Sequence, residues 1–180
     1  MKSRLFSVIV FSGMRYSYLL AIICSILIMQ LPARAELDAA AKAEIDNATK
    51  AIHSAPTAVN YAERGRLYGR NKMFQLSLQD YNRAIKLMPN EPGLYWRRAV
   101  DLSQLARYRE AIADCNRTLR LCKQGDDDYL NALRGRAHCY DELGFEKEAK
   151  ADLYILRNYG DTAAAADLRE WGKAAKSSHK

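Results

Sequence analysis

Residues 61–89 read YAERGRLYGRNKMFQLSLQDYNRAIKLMP, and the recurrence of this stretch decides the fold. Its first half is Tyr61-x-x-Arg64-Gly65-x-x-Tyr68 and its second half Ser77-x-x-Asp80-Tyr81-x-x-Ala84. The first half returns as Tyr95-x-x-Arg98-Ala99-x-x-Leu102 and as Leu133-x-x-Arg136-Ala137-x-x-Tyr140. The second half returns in the same register, as Ala111-x-x-Asp114-Cys115-x-x-Thr118 and Ala149-x-x-Asp152-Leu153-x-x-Leu156. Arg64 and Arg98 are 34 residues apart, Arg98 and Arg136 38, with the extra four falling in the polar loop around Lys123–Asp128. Matching Arg64-Gly65-Arg66 to Arg134-Gly135-Arg136 would throw the second halves out of register by two. A fixed period of this length is the mark of a stacked repeat.

Within each copy, apolar and small residues recur at three- and four-residue steps, the period of a helix with one buried face. The small pairs Gly65 with Ser77, Ala99 with Ala111 and Ala137 with Ala149 let two antiparallel helices approach closely. Pro89-Asn90 and Pro92 end one helix and open the next, and Gly125 and Gly160 serve as stops. Asp126, Asp127 and Asp128 stand at a helix start, where the dipole favours negative charge. Asp161 or Thr162 is placed to cap a final helix running to about Ala175, with Leu168 and Trp171 on one face.

In period, in the small–x3–aromatic second helix and in the closing Pro89, the chain resembles the tetratricopeptide repeat from Thr57 to Tyr159. Lys123 and Asp161 stand where the second and third copies would carry that proline, and Leu143-Gly144 matches the family's inter-helix turn. The resemblance implies an all-α fold, a short right-handed solenoid of antiparallel helix pairs with a C-terminal capping helix. Residues 57–161 form three repeats at about 58–91, 92–129 and 130–161, and 162–180 form the capping helix and tail. Upstream, Ala51-Ile52-x-x-x-Pro56 echoes Ala84-Ile85-x-x-x-Pro89, so 36–56 read as a degenerate helix preceding the array.

The first 35 residues read as an address. Leu19–Leu31 is an apolar core followed by Pro32 and Ala33-Arg34-Ala35, the order of a secretory signal with its cleavage site. At about 13 residues the core is shorter than the roughly 20 that span a bilayer. The expectation is export to a periplasm or the secreted space, with an N-terminal membrane anchor as the alternative. Met14 is a second possible start, which shortens the signal to 22 residues. Bulky Ile23 before Cys24 departs from a lipid-attachment pattern. The net charge of +7 shrinks accordingly. Lys2, Arg4, Arg15 and Arg34 fall in this segment, leaving 24 basic against 21 acidic residues, too mixed for a phosphate-tracking surface. No nucleic-acid partner is expected.

Nor does the sequence carry a catalytic constellation, and the expectation is a non-enzyme without cofactor or metal. His53, His138 and His179 are dispersed, and His138-Cys139 lacks the flanking ligands of a zinc site. The Asp126–Asp128 run has no EF-hand spacing. No glycine-rich phosphate loop or nucleophile elbow is present. The sequons at Asn47 and Asn116 fall in expected helices.

Three features of the mature chain invite structural tests. Arg64 and Asp80, Arg98 and Asp114, and Arg136 and Asp152 are each 16 residues apart, which suggests one Arg–Asp bridge per repeat. Cys115, Cys122 and Cys139 remain after cleavage, an odd count. Cys115 and Cys122 share an expected helix at about 10 Å separation, too far to pair. A Cys115–Cys139 disulfide is therefore favoured over Cys122–Cys139, with three buried thiols as the alternative. Finally, the resemblance implies that the first helix of each repeat lines a concave groove. That face presents Ala62, Arg66 and Arg70, then Trp96, Val100 and Gln104, then Arg134, His138 and Asp141, with Arg97 beside Trp96. Trp and Arg are the residues interfaces favour as anchors. The partner expected there is another protein or peptide. Self-association without a separate client is the alternative. The family's carboxylate-gripping Lys and Asn arrangement is not reproduced, Ala62 being one departure.

Overall fold

A computed structural model of the chain describes residues 38–177, with side chains through Glu170. The signal-peptide reading of 1–35, the Met14 start and the side chain of Trp171 lie outside the described residues. Within them the chain is all helix: α1 Ala39–Ser54, α2 Ala58–Arg70, α3 Phe74–Leu87, α4 Pro92–Gln104, α5 Tyr108–Leu121, α6 Asp127–Glu142, α7 Glu146–Asn158 and α8 Thr162–Ser177. Each helix packs on the next, and α4 also contacts α2 and α6. This is the solenoid expected of the repeat pattern, with α1 before three pairs and α8 after them.

The turn inside each pair is built the same way three times. Lys72 (φ 59°), Ala106 (φ 55°) and Gly144 (φ 76°) occupy the left-handed region at equivalent places. In each, the next residue's N–H closes back on the helix: Met73 to Tyr68 O at 2.9 Å, Arg107 to Leu102 O at 2.9 Å, and Phe145 to Tyr140 O at 2.8 Å. These bonds satisfy carbonyls that the helix end leaves open.

Helix starts are individually made. Thr57 caps α2 by accepting from Asn60 N at 3.2 Å. Pro92 opens α4, where its missing N–H is of no consequence. Asp161 Oδ1 accepts from Ala164 N at 3.0 Å, so Asp161 rather than Thr162 caps α8. Asp126 is the N-cap residue of α6, but its carboxylate accepts from Lys123 N at 3.2 Å instead of capping the helix.

The core is made of small residues. Ala84, Ala111, Ala132 and Ala149 are fully buried, and the Ser77 hydroxyl donates to Gly65 O at 2.6 Å where α2 and α3 cross. Aliphatic contacts fill the rest, Leu78, Ala99, Leu102, Cys115 and Cys139 in one cluster and Leu133, Ala137, Leu153, Leu156 and Ala164 in another. Leu168 of α8 packs on the second, covering the last pair. No described helix is long and apolar enough to cross a membrane.

Two expectations about cysteine need correction. Cys115, Cys122 and Cys139 are all thiols, and the Cys115–Cys139 disulfide is not formed. Cys115 and Cys139 sit in one apolar cluster, each 1% exposed, and act there as small hydrophobes. Burial pushes their thiols up to about 12 and about 11, away from the reactive thiolate. Cys122 is not in the helix of Cys115. It is the residue after α5, in an extended conformation.

Candidate functional site

The three Arg–Asp pairs form one structural device. Arg64 Nε and Nη2 donate to Asp80 at 2.7 and 2.9 Å, Arg98 to Asp114 at 2.7 Å for both, and Arg136 to Asp152 at 2.8 and 2.7 Å. Each is a two-pronged bond between the helices of one pair, and each aspartate is buried. These bonds hold all three guanidinium groups above their ordinary pKa. The remaining nitrogen of each arginine reaches back to the preceding element. Nη1 of Arg64 donates to Thr49 Oγ1 at 3.2 Å, that of Arg98 to Asn82 Oδ1 at 2.6 Å, and that of Arg136 to Asn116 Oδ1 at 2.5 Å. The arginine therefore clamps its own pair and ties it to the element before. Thr49, Asn82 and Asn116 lie 33 and 34 residues apart, a spacing that was available in the sequence and marks this second link.

The expected partner-binding residues divide between two hollows. Arg66, Arg70, Trp96, Arg97, Val100 and Gln104 come together with Gly69, Lys72, Phe74, Tyr81 and Asp101 in a groove of about 540 Å³ between α2 and α4. Arg134 and His138 do not join them. They line a smaller hollow with Asp141, Leu153, Asp167 and Glu170, closed on one side by α8. Ala62 belongs to a third hollow, with Val59, Met88 and Leu94.

Several of these side chains are already engaged. Arg66 pairs with Glu63 at 2.6 Å, Arg70 pairs with Glu44 of α1, and Arg134 pairs with Asp161 at 2.7 Å. The Glu63 carboxyl is held below its usual range by the Arg66 hydrogen bond. The Trp96 indole N–H donates to Asp128 Oδ1 at 2.5 Å, across to the first turn of α6. Asp128 therefore holds the indole in place, and the ring packs partly buried against the cluster of Leu78, Ala99 and Leu102. Arg97 lies over that ring, 4.9 Å from its centroid. His138 meets Tyr108 edge-on at 6.4 Å. Lys72 and Arg97 form no ion pair among the described residues.

One groove residue escaped the sequence reading. Asp101 is 4% exposed, and its Oδ2 has no hydrogen-bond partner. The other copies place Leu67 and Cys139 at the same repeat position, both buried. Position-by-position comparison of the copies was the signal. Burial pushes the Asp101 carboxyl up to about 6, with the Ser77 hydroxyl beside it pulling the other way.

Comparisons with known proteins agree with this architecture. No family model matches the chain. Human DnaJ homolog subfamily C member 7 is 30% identical over 117 residues, which is 63% of this chain and 22% of that protein. The chain spans about a fifth of the length of the first curated relatives it matches. Among solved structures, the first TPR of Spaghetti (RPAP3) bound to HSP90 peptide SRMEEVD superposes with a TM-score of 0.60 at 23% identity. The match covers 67% of this chain and 94% of that one. MamA superposes with a TM-score of 0.59 at 18% identity over 67% and 69% of the two chains. At these identities the structural likeness speaks for the fold.

Proposed function

As a tetratricopeptide-repeat solenoid this chain carries a groove on its first helices, and we propose that it is a protein-interaction scaffold holding an extended segment of another protein between α2 and α4. The observation that carries this reading is the composition of the groove: Trp96 and Val100 line it together with Lys72 and Arg97, which form no ion pair among the described residues. Val100 is 42% exposed in the middle of a helix whose opposite face is core. A rigid aromatic anchor within a charged rim is the anatomy of a protein interface. The neighbour holding an HSP90 peptide supports a peptide as the occupant.

The setting we propose is outside the cytoplasm, in a periplasm or the secreted space. The apolar core Leu19–Leu31 and Ala33-Arg34-Ala35 support it. Photo-crosslinking from Val100 in the native host, followed by identification of the captured protein, tests the scaffold reading. A stoichiometric partner crosslinked through the groove supports it. Crosslinks only to a second copy of the chain would replace it with self-association.

A further inference from the structure

Asp101 sits in the groove as an unexplained charge. Its two counterparts in the other repeats are Leu67 and Cys139, both buried, so the position is a core position of the repeat unit. A carboxylate there with an unpaired oxygen is costly, because burial strips its water and nothing replaces it. The neighbouring helix makes room for it. A Cβ added at Gly69 would lie 2.9 Å from Asp101 Oδ1, and the other repeats carry Ser103 and Asp141 where the first has Gly69. Two departures from the repeat, Asp101 and Gly69, thus meet at one spot, and both line the groove. The Ser77 hydroxyl beside it gives its hydrogen to Gly65 O.

Deepening the groove reading above, on which this rests, we propose that Asp101 is a specificity residue whose carboxylate receives a basic side chain, lysine or arginine, from the bound segment, with acidic residues flanking that side chain. A carboxylate lying just beneath the groove surface is reached by a small turn of its own side chain, which Gly69 leaves free. A cation completes the hydrogen bonding that the fold leaves open, and charge-assisted bonds of this kind are stronger than neutral ones. The flanking acids follow from the rim. Lys72 and Arg97 line the groove without ion pairs among the described residues, and they would repel a uniformly basic peptide.

The test uses the full chain, immobilised, and a phage-displayed library of random twelve-residue peptides. Enriched peptides should share one lysine or arginine between acidic residues. They should bind Asp101→Asn at least tenfold more weakly, although that variant should melt at a higher temperature than the parent. Replacing the shared basic residue by norleucine should make the parent and Asp101→Asn bind alike. Enriched peptides that bind both proteins equally, or that carry no basic residue, overturn the inference. If those peptides are nonetheless weakened by Val100→Arg, the groove reading stands and only the role of Asp101 falls. Peptides indifferent to both substitutions, or no enrichment at all, remove both.

Discussion

At the scale of the residue, buried charge is what this chain handles most distinctively, and it does so in two opposite ways. Asp114 is 6% exposed and fully answered: two bonds from Arg98, whose third nitrogen is held by Asn82. Removing one partner leaves the other's charge buried and unpaired. Asp114→Ala should therefore lower stability by about 3 kcal/mol, whereas replacing Arg98 and Asp114 together by Met and Leu should lose much less. Urea titration of the single and double variants checks this, and equal losses would contradict it. Asp101 is the unanswered case. Its folded pKa of about 6 is raised above the ordinary value of 3.8. The neutral form is the one the fold prefers, so its stabilisation is fully present below pH 3.8 and is lost as pH rises through about 6. Asp101→Asn should be more stable than the parent at pH 7.5 by up to about 3 kcal/mol, the shift from 3.8 to about 6 converted at about 1.36 kcal/mol per unit. The difference should shrink on acidification to pH 4. A constant difference across that range would show that ionisation of Asp101 is not the cause.

At the scale of the element, the turn within each pair demands a left-handed residue, and only the third repeat supplies glycine. Ala106 at φ 55° holds a conformation that costs an L-residue about 1–2 kcal/mol. Glycine there forgoes that strain but loses some backbone entropy on folding. Ala106→Gly should raise stability by about 0.5–1 kcal/mol, a shift of about 1–4 °C in melting temperature for a domain of this size. Gly144→Ala should move it the other way. Calorimetry on the pair decides, and a drop for Ala106→Gly would mean that the turn is held by the Arg107 N–H bond to Leu102 O alone. The cysteines belong to this scale too. Cys115 and Cys139 are sealed between α5 and α6, while Cys122, after the end of α5, is half-buried. Thiol titration of the native protein should modify Cys122 first, and all three only on unfolding. Its rate will be slow at neutral pH, since burial, with Asp128 and Asp126 nearby, pushes that thiol up to about 11.

At the scale of the whole molecule, each pair contacts its neighbours and little else, so coupling passes along the array through the packed helices and the three arginine clamps. The two hollows can then be altered separately. On the scaffold reading proposed above, Trp96→Ala should abolish the crosslink from Val100, whereas His138→Ala, in the α6–α8 hollow, should leave it unchanged. Export is the prediction that concerns the chain as a unit. N-terminal sequencing of the protein recovered from its native host should begin at Glu36. An intact Met1 or Met14 on a membrane-bound protein would replace the cleaved signal with an anchor.

The repeat, its register and the Arg–Asp pairing were legible in the sequence because they are local and recurrent. The same residue types return at 34 and 38, and a spacing of 16 across a short turn leaves two antiparallel helices few ways to place their side chains. The first-helix face was named from the family resemblance instead, and the structure places six of the residues named there around one groove. What needed the tertiary structure was everything decided between repeats. Arg134 and His138 went to another hollow because α8 folds across the end of the array. Trp96 turned its N–H to Asp128, whose place depends on how α6 stacks on α4. Cys115 and Cys139 share a core and remain thiols there, packed as small apolar groups. Asp101 showed itself as a charge only once its surroundings were known to be dry. Periodicity determines which face of a helix is buried; which neighbour covers it, and which polar atom is left unanswered there, is settled by packing among elements distant in sequence.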